Sequence, residues 1–177
     1  TTYGCESGGD PKNIPDLTYE NFLNFHRTYY HPSNSYIYLY GNMDMEEKLA
    51  FLDEHYLSHF DYLDVDSVIQ EQKAFGACRD VTLEYPVAEN EGEEDNTYLS
   101  YNMVVGNAAD SQMAMAFEVL DYALLSAPGA PLKQALLDVK AGKDVYGSYD
   151  DGILQPYFTV IAKGSNPDRK EEFVSVI

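Results

Sequence analysis

The chain has only four histidines, and two of them, His55 and His59, stand four positions apart. On a continuous helix that spacing puts both imidazoles on one face, where they offer two metal ligands. A zinc site needs a third ligand, and a catalytic one also needs an open position. Glu54 adjoins His55, but no His-Glu-x-x-His frame surrounds the pair. His55 and His59 are therefore expected to hold no metal. His26 lies beside the aromatic face of its helix and reads as a structural imidazole. His31 precedes Pro32 and is expected to cap or close a turn.

Other reactive groups lack the company that chemistry requires. Ser/His/Asp and Cys/His arrangements stay open on sequence distance alone. Still, no serine sits in a Gly-x-Ser-x-Gly elbow, and neither Cys5 nor Cys78 has a motif around it. Ser7, Gly8 and Gly9 could cradle an anion. A phosphate loop needs a longer glycine-rich pattern with Lys and Ser/Thr opening a helix, so this run reads as a tight entry loop. Residues 89–95 (ENEGEED) carry five carboxylates around a glycine. They lack the calcium-loop arrangement and read as solvated acid in a mobile hairpin loop. Carboxylate pairs for glycoside hydrolysis are too numerous to be selective. No residue is assigned as catalytic, cofactor-binding or metal-ligating.

The elements that would position these groups can be read from periodicity. Thr18 is a candidate N-cap, and Leu17 and Phe22 have the spacing of a hydrophobic staple. Phe22, Phe25 and Tyr29 follow at helical intervals, and Pro32 stops the helix near Tyr30. Ser35 to Tyr40 (SYIYLY) predicts a strand with Ile37 and Leu39 on one side and Tyr36, Tyr38 and Tyr40 on the other. Asp44 and Glu47 make a capping-box pattern before a helix over Leu49, Leu52 and Tyr56. Residues 61–78 read as a connector.

Arg79 to Val87 alternates and predicts an edge strand, since Pro86 cannot donate to a ladder. Thr97 to Val105 predicts a second strand antiparallel to it. Asp110 is expected to cap a helix to about Leu125 with Met113, Phe117, Leu120 and Leu124 inward. Pro131 suits the first turn of a short helix, with Gly142 at its C-cap. Val145 to Tyr149 and Leu154 to Lys163 are candidate strands joined by a turn at Asp150 to Gly152. Asn166 and Pro167 restart a helix with Phe173, Val174 and Ile177 inward. The expected order in this half is β-β-α-α-β-β-α. That is an α+β fold, an antiparallel sheet covered by helices on one face.

Composition bounds the partners. The formal net charge is −19 and the pI is near 4.2. Both oppose binding to nucleic acid or to an anionic membrane. Two widely separated cysteines without a wider framework suggest a reduced, cytoplasmic chain. No apolar run reaches spanning length and no signal peptide opens the chain. The start, TTYGCESGGDP, lacks an initiator Met, and the end, EEFVSVI, stops within a helical pattern. Both ends read as cuts within a longer protein.

SGGDPKNIPDLTYENFLNFHRTYYHPSNSYIYLYGNMD (7–44) resembles the stretch after the active site in the insulinase-type, pitrilysin-like zinc metallopeptidases, above all their presequence-protease branch. NTYLSYNMVVGNAAD (96–110), LLSAPGAPLKQALLD (124–138) and DGILQPYFTVIAKG (151–164) look like the opening of the second domain in that branch. The resemblance implies a boundary between metallopeptidase-like repeat domains. Residues 1–60 would end the catalytic-type domain, 61–78 connect, and 79–177 begin a non-catalytic domain. It also implies a parent enzyme that uses zinc, held by an inverted His-x-x-Glu-His motif and a distant Glu, to cut unfolded peptides inside a chamber. No such motif occurs in this chain. No family catalytic residue therefore maps onto it, and no zinc is expected in this piece. Its implied role is chamber wall and interdomain packing. Its implied partners are the remaining domains of the same polypeptide and, for the parent, peptide substrates. The alternative is a degenerate non-catalytic homologue that binds peptides or assembles with an active subunit.

Overall fold

Thr18 starts the first helix, α1 (Tyr19–Tyr29), by accepting the Asn21 N–H at 3.1 Å on its hydroxyl. That satisfies one of the donors a helix start leaves free. His31 does what its position before Pro32 implies: Nδ1 accepts the Ser33 N–H at 3.2 Å and opens a single 3-10 turn, Pro32–Asn34. Asp44 caps α2 (Met45–His55) through the Glu47 N–H at 3.1 Å. The reciprocal arm of the capping box is not used, since Glu47 Oε1 accepts from Lys48 Nζ instead. The computed structural model describes residues 2–177. These form two units, one running to Gln70 and the other from Glu71 to Ile177.

In the first unit the strand predicted over Ser35 to Tyr40 is absent. The run pairs with no other segment among the described residues. Its alternation survives, with the Tyr38 and Tyr40 rings stacked at 6.4 Å and Leu39 half-buried. Alternation orients side chains, but a strand exists only where a neighbour answers its N–H and C=O groups. None of the described residues in this unit is buried.

The second unit holds the sheet. Strands β1 (Thr97–Val104), β2 (Asp144–Asp150) and β3 (Tyr157–Ser165) lie in the order β1-β3-β2, antiparallel throughout. Leu99, Tyr101 and Met103 stand opposite Ala162, Val160 and Phe158, and Val145, Gly147 and Tyr149 oppose the same three from the other side. The result is one apolar face, which the helices cover. Leu125, Leu136 and Phe173 join Val145, Val160 and Ala162 in a single core.

The strand predicted over Arg79 to Val87 does not form, so the acidic run 89–95 closes no hairpin. β1 takes β3 as its partner because that pairing alternates Phe158, Val160 and Ala162 against its own apolar face. The 79–87 segment is fastened by side chains instead. The Tyr85 ring meets Tyr98 edge-on at 5.9 Å, and its hydroxyl donates to the Asn96 carbonyl. Lys170 pairs with Asp80.

Helix α3 (Ser111–Asp121) passes into a π-helical turn, Tyr122–Ser126, closed by the Ala127 N–H on the Tyr122 carbonyl at 2.7 Å. The extra residue per turn rotates the chain, so Leu125 enters the core, while Met113 and Leu120 stay 39% and 41% exposed. Phe117 and Leu124 pack against the core as expected, so the correction to the inward face concerns Met113 and Leu120. Helix α4 (Pro131–Asp138) ends in a Schellman motif: Lys140 N–H bonds the Leu137 carbonyl and Ala141 N–H the Leu136 carbonyl, both at 2.9 Å. Lys140, at φ 55°, holds the left-handed position expected of Gly142. Gly142 serves a different need: a Cβ there would come within 2.7 Å of the Lys163 carbonyl oxygen of β3. In α5 (Lys170–Val176) Phe173 is buried as expected, while Val174 faces outward and Val176 packs inward.

Candidate functional site

Helix α2 ends at His55, whose ring packs on Phe51 at 4.5 Å. His59 lies beyond Tyr56 in a separate 3-10 turn, Leu57–His59. The two imidazoles therefore share no helix face. His26 stacks on Tyr30 at 4.9 Å, and His31 meets Phe60 edge-on at 5.3 Å. All four histidines of the first unit are thus used in turns or ring contacts or stand at its surface. Among the described residues, no group of three or more His, Cys, Asp or Glu side chains could hold a metal ion. The residues present do not fit the zinc that the resemblance implies for the parent.

The remaining candidates stay apart as well. Cys5 and Cys78 are free and exposed. Ser7 and Cys5 line an open recess with Tyr3, Glu6 and Phe25. In the acidic run Asp95 is engaged through its carboxylate. Asn166 Nδ2 donates to it at 2.8 Å and Lys143 Nζ pairs with it at 3.1 Å, which holds its carboxyl below the usual range. Asp121, at the end of α3, has one oxygen buried without a partner, and burial pushes its pKa up.

The face of the sheet away from the helices is an organised surface. Tyr98, Ser100, Asn102 and Val104 of β1 share it with Tyr157, Thr159, Ile161 and Lys163 of β3 and with Tyr146 of β2. A polar row crosses it: Thr159 Oγ1 donates to Asn102 Oδ1 at 2.8 Å, and Asn102 Nδ2 donates to Ser100 Oγ at 2.8 Å. Tyr157 donates to Asp150 Oδ2 at 3.1 Å, and the neighbouring carboxylate raises its phenol pKa. The face offers rings, hydroxyls and amides, which suit binding. Sequence reading passed over this row. Its signal was the set of alternate positions Tyr98, Ser100 and Asn102, aromatic or polar between the apolar Leu99 and Met103 of the other face.

Comparisons with known proteins agree on one family. Residues 16–177 match the family model described as the peptidase M16 inactive domain. Protein HypA of Clostridium perfringens is 47% identical over 177 residues, which is all of this chain and 18% of that protein. Presequence protease 1 of Arabidopsis thaliana, chloroplastic/mitochondrial, is 36% identical over 99% of this chain and 17% of its own length. The mitochondrial presequence protease of Xenopus laevis is 32% identical over 99% of the chain and 17% of its own length. The chain thus spans less than a fifth of the length of these curated relatives.

Proposed function

Since this chain belongs to the peptidase M16 inactive-domain family, of the insulinase type and alongside the presequence proteases, we propose that it is a non-catalytic part of a zinc endopeptidase that degrades unfolded peptides in an enclosed chamber. The observation that carries this reading is the match across residues 16–177 together with the full-chain similarity to much longer proteins named as proteases. No helix among the described residues is long and apolar enough to cross a membrane.

In this reading residues 1–60 finish a catalytic-type domain, 61–78 connect, and 79–177 begin the inactive domain. The zinc ligands and the general base lie on other parts of the polypeptide. The first unit supports a packing role. Phe22, Phe25, Tyr36 and Tyr38 are all more than half exposed, and bare apolar surface of this extent marks a contact with partner surface. The partners are the remaining domains of the same polypeptide. The tyrosines and amides of the open sheet face suit the wall of a peptide-holding space. The free, exposed Cys5 and Cys78 fit a reducing compartment, which the reading takes as the cytoplasm.

The test uses the full-length polypeptide. Bound zinc and cleavage of a quenched unstructured peptide are measured with and without chelator, beside this chain alone. The expected result is chelator-sensitive cleavage by the whole protein and neither zinc nor cleavage from the chain. A whole protein without zinc or cleavage would move the assignment to a degenerate peptide-binding homologue. Stoichiometric zinc in the chain alone would put the site back at His55 and His59.

A further inference from the structure

Residues 60–75 have no regular structure, yet the start of the second unit is held at one point by an unusual pair of bonds. The Gln72 N–H donates to Gln155 Oε1 at 2.6 Å, and Gln155 Nε2 donates back to the Gln72 carbonyl at 3.1 Å. Both main-chain groups of one residue are thus bonded to one side-chain amide. A neighbouring strand would offer the same donor and acceptor. The amide has a direction, because exchanging its oxygen and nitrogen would set donor against donor and acceptor against acceptor. The Gln72 side chain takes no part, since it turns to the Lys73 carbonyl at 3.2 Å.

A second amide acts beside the first. Asn107 Nδ2 donates to Glu71 Oε1 at 2.7 Å. Asn107 Oδ1 accepts the Ala109 N–H at 2.9 Å, which fixes the orientation of its amide. The platform under both amides is tied down. The Val105 N–H bonds the Pro156 carbonyl at 2.7 Å and the Ala108 N–H bonds the Leu154 carbonyl at 2.9 Å. Pro156 is fully buried. The turn that follows β1 is thereby laced to the run that enters β3, and Gln155 and Asn107 project from that joint.

We propose that Gln155 and Asn107 form a latch that seats the connector on the sheet by reading its main chain at Gln72 and its carboxylate at Glu71. The latch sets where the connector leaves the second unit. Because the contact at Gln72 is to N–H and C=O, it tolerates any side chain there except proline, which lacks the N–H. It has one requirement at 155: a group that both donates and accepts. The proposal does not depend on the chamber reading above, since it concerns a contact within one unit.

The experiment is amide hydrogen exchange across 68–76 in the intact polypeptide, with the β3 amides of 158–164 as a check on the fold. Gln155→Glu keeps the size and the acceptor but turns a carboxylate oxygen toward the Gln72 carbonyl. Losing the donor to the Gln72 carbonyl and setting a carboxylate oxygen against it should speed exchange at 72–73 by roughly tenfold. Gln72→Ala should change it by less than about twofold, because the main-chain bonds remain. Unchanged exchange in Gln155→Glu would overturn the latch, as would a Gln72→Ala effect equal to that of Gln155→Glu. If Gln155→Glu also loosens 158–164, Gln155→Met carries the same expectation and the same refutation, because it fills the site without an amide.

Discussion

Phe25 and Phe173 are both helical phenylalanines, yet Phe25 is 59% exposed and Phe173 1%. The contrast runs through the two units. In the first, helices begin at capping side chains and rings pack on near neighbours, as with His26 on Tyr30 and Phe51 on His55. In the second, three strands and the helices above them bury a shared core drawn from residues 99 to 173. Local interactions can therefore place a helix without burying anything, whereas a sheet needs partners from distant parts of the chain. Burial of apolar surface, at about 25 cal/mol per Å², outweighs what any single cap contributes.

The sharpest way to break this comparison is to truncate matched side chains. Phe173→Ala should cost about 3–5 kcal/mol of unfolding free energy, as expected for an emptied core position. Phe25→Ala in the same chain should stay within about 0.5 kcal/mol. Urea midpoints followed on the sheet give both numbers. An equal loss from Phe25→Ala would mean that Phe25 is buried in a core that unfolds together with the sheet. A smaller effect is expected where β2 passes under the π-helical turn. A Cβ on Gly147 would overlap Leu125 Cδ1 and the Thr159 carbonyl oxygen, so Gly147→Ala should cost about 1–3 kcal/mol through overpacking. A thermal midpoint equal to that of the unsubstituted chain would show that the turn yields freely.

The smallest effects separate the units by where they are felt. Asp44 and Asp110 cap α2 and α3 with the same geometry, at 3.1 and 3.0 Å. Replacing either with Ala should cost about 1 kcal/mol. For Asp110→Ala the loss should lower the global urea midpoint, because α3 packs on the sheet through Phe117. For Asp44→Ala it should show as fraying of α2 in residue-level exchange, with the midpoint of the sheet unmoved. A shifted sheet midpoint in Asp44→Ala would show that the two units unfold together.

The elements legible from sequence were those with local signals. Thr18, Asp44 and Asp110 each accept from an N–H three residues on, as their types and spacing imply. Pro131 opens its helix, and Gly152 donates to Asp150 in the turn predicted there. The strands expected over Val145 to Tyr149 and Leu154 to Lys163 form over 144–150 and 157–165, the latter starting only after Pro156, and the two-sided pattern of Thr97 to Val104 already contained the open face. What failed needed knowledge of the partner. Ser35 to Tyr40 and Arg79 to Val87 alternate just as well, but nothing in the alternation says which backbone will answer them. For the site, the separation of His55 from His59 turned on where α2 stops, and its aromatic contacts give no mark of that in a residue list.

The sequence by itself determined the helix starts, the turn residues, the α+β class and the family motifs, because each is written within a few neighbouring positions. Tertiary structure alone decided that β1 pairs with β3 and that Leu125 displaces Leu120 from the core. It also decided that Gly142 serves a close approach to β3 and that Lys140 takes the left-handed turn. The physical reason is distance along the chain. Thr97 and Ser165 meet across the sheet, and a contact between residues so far apart exists only after the chain has paid the entropy of closing the loop between them.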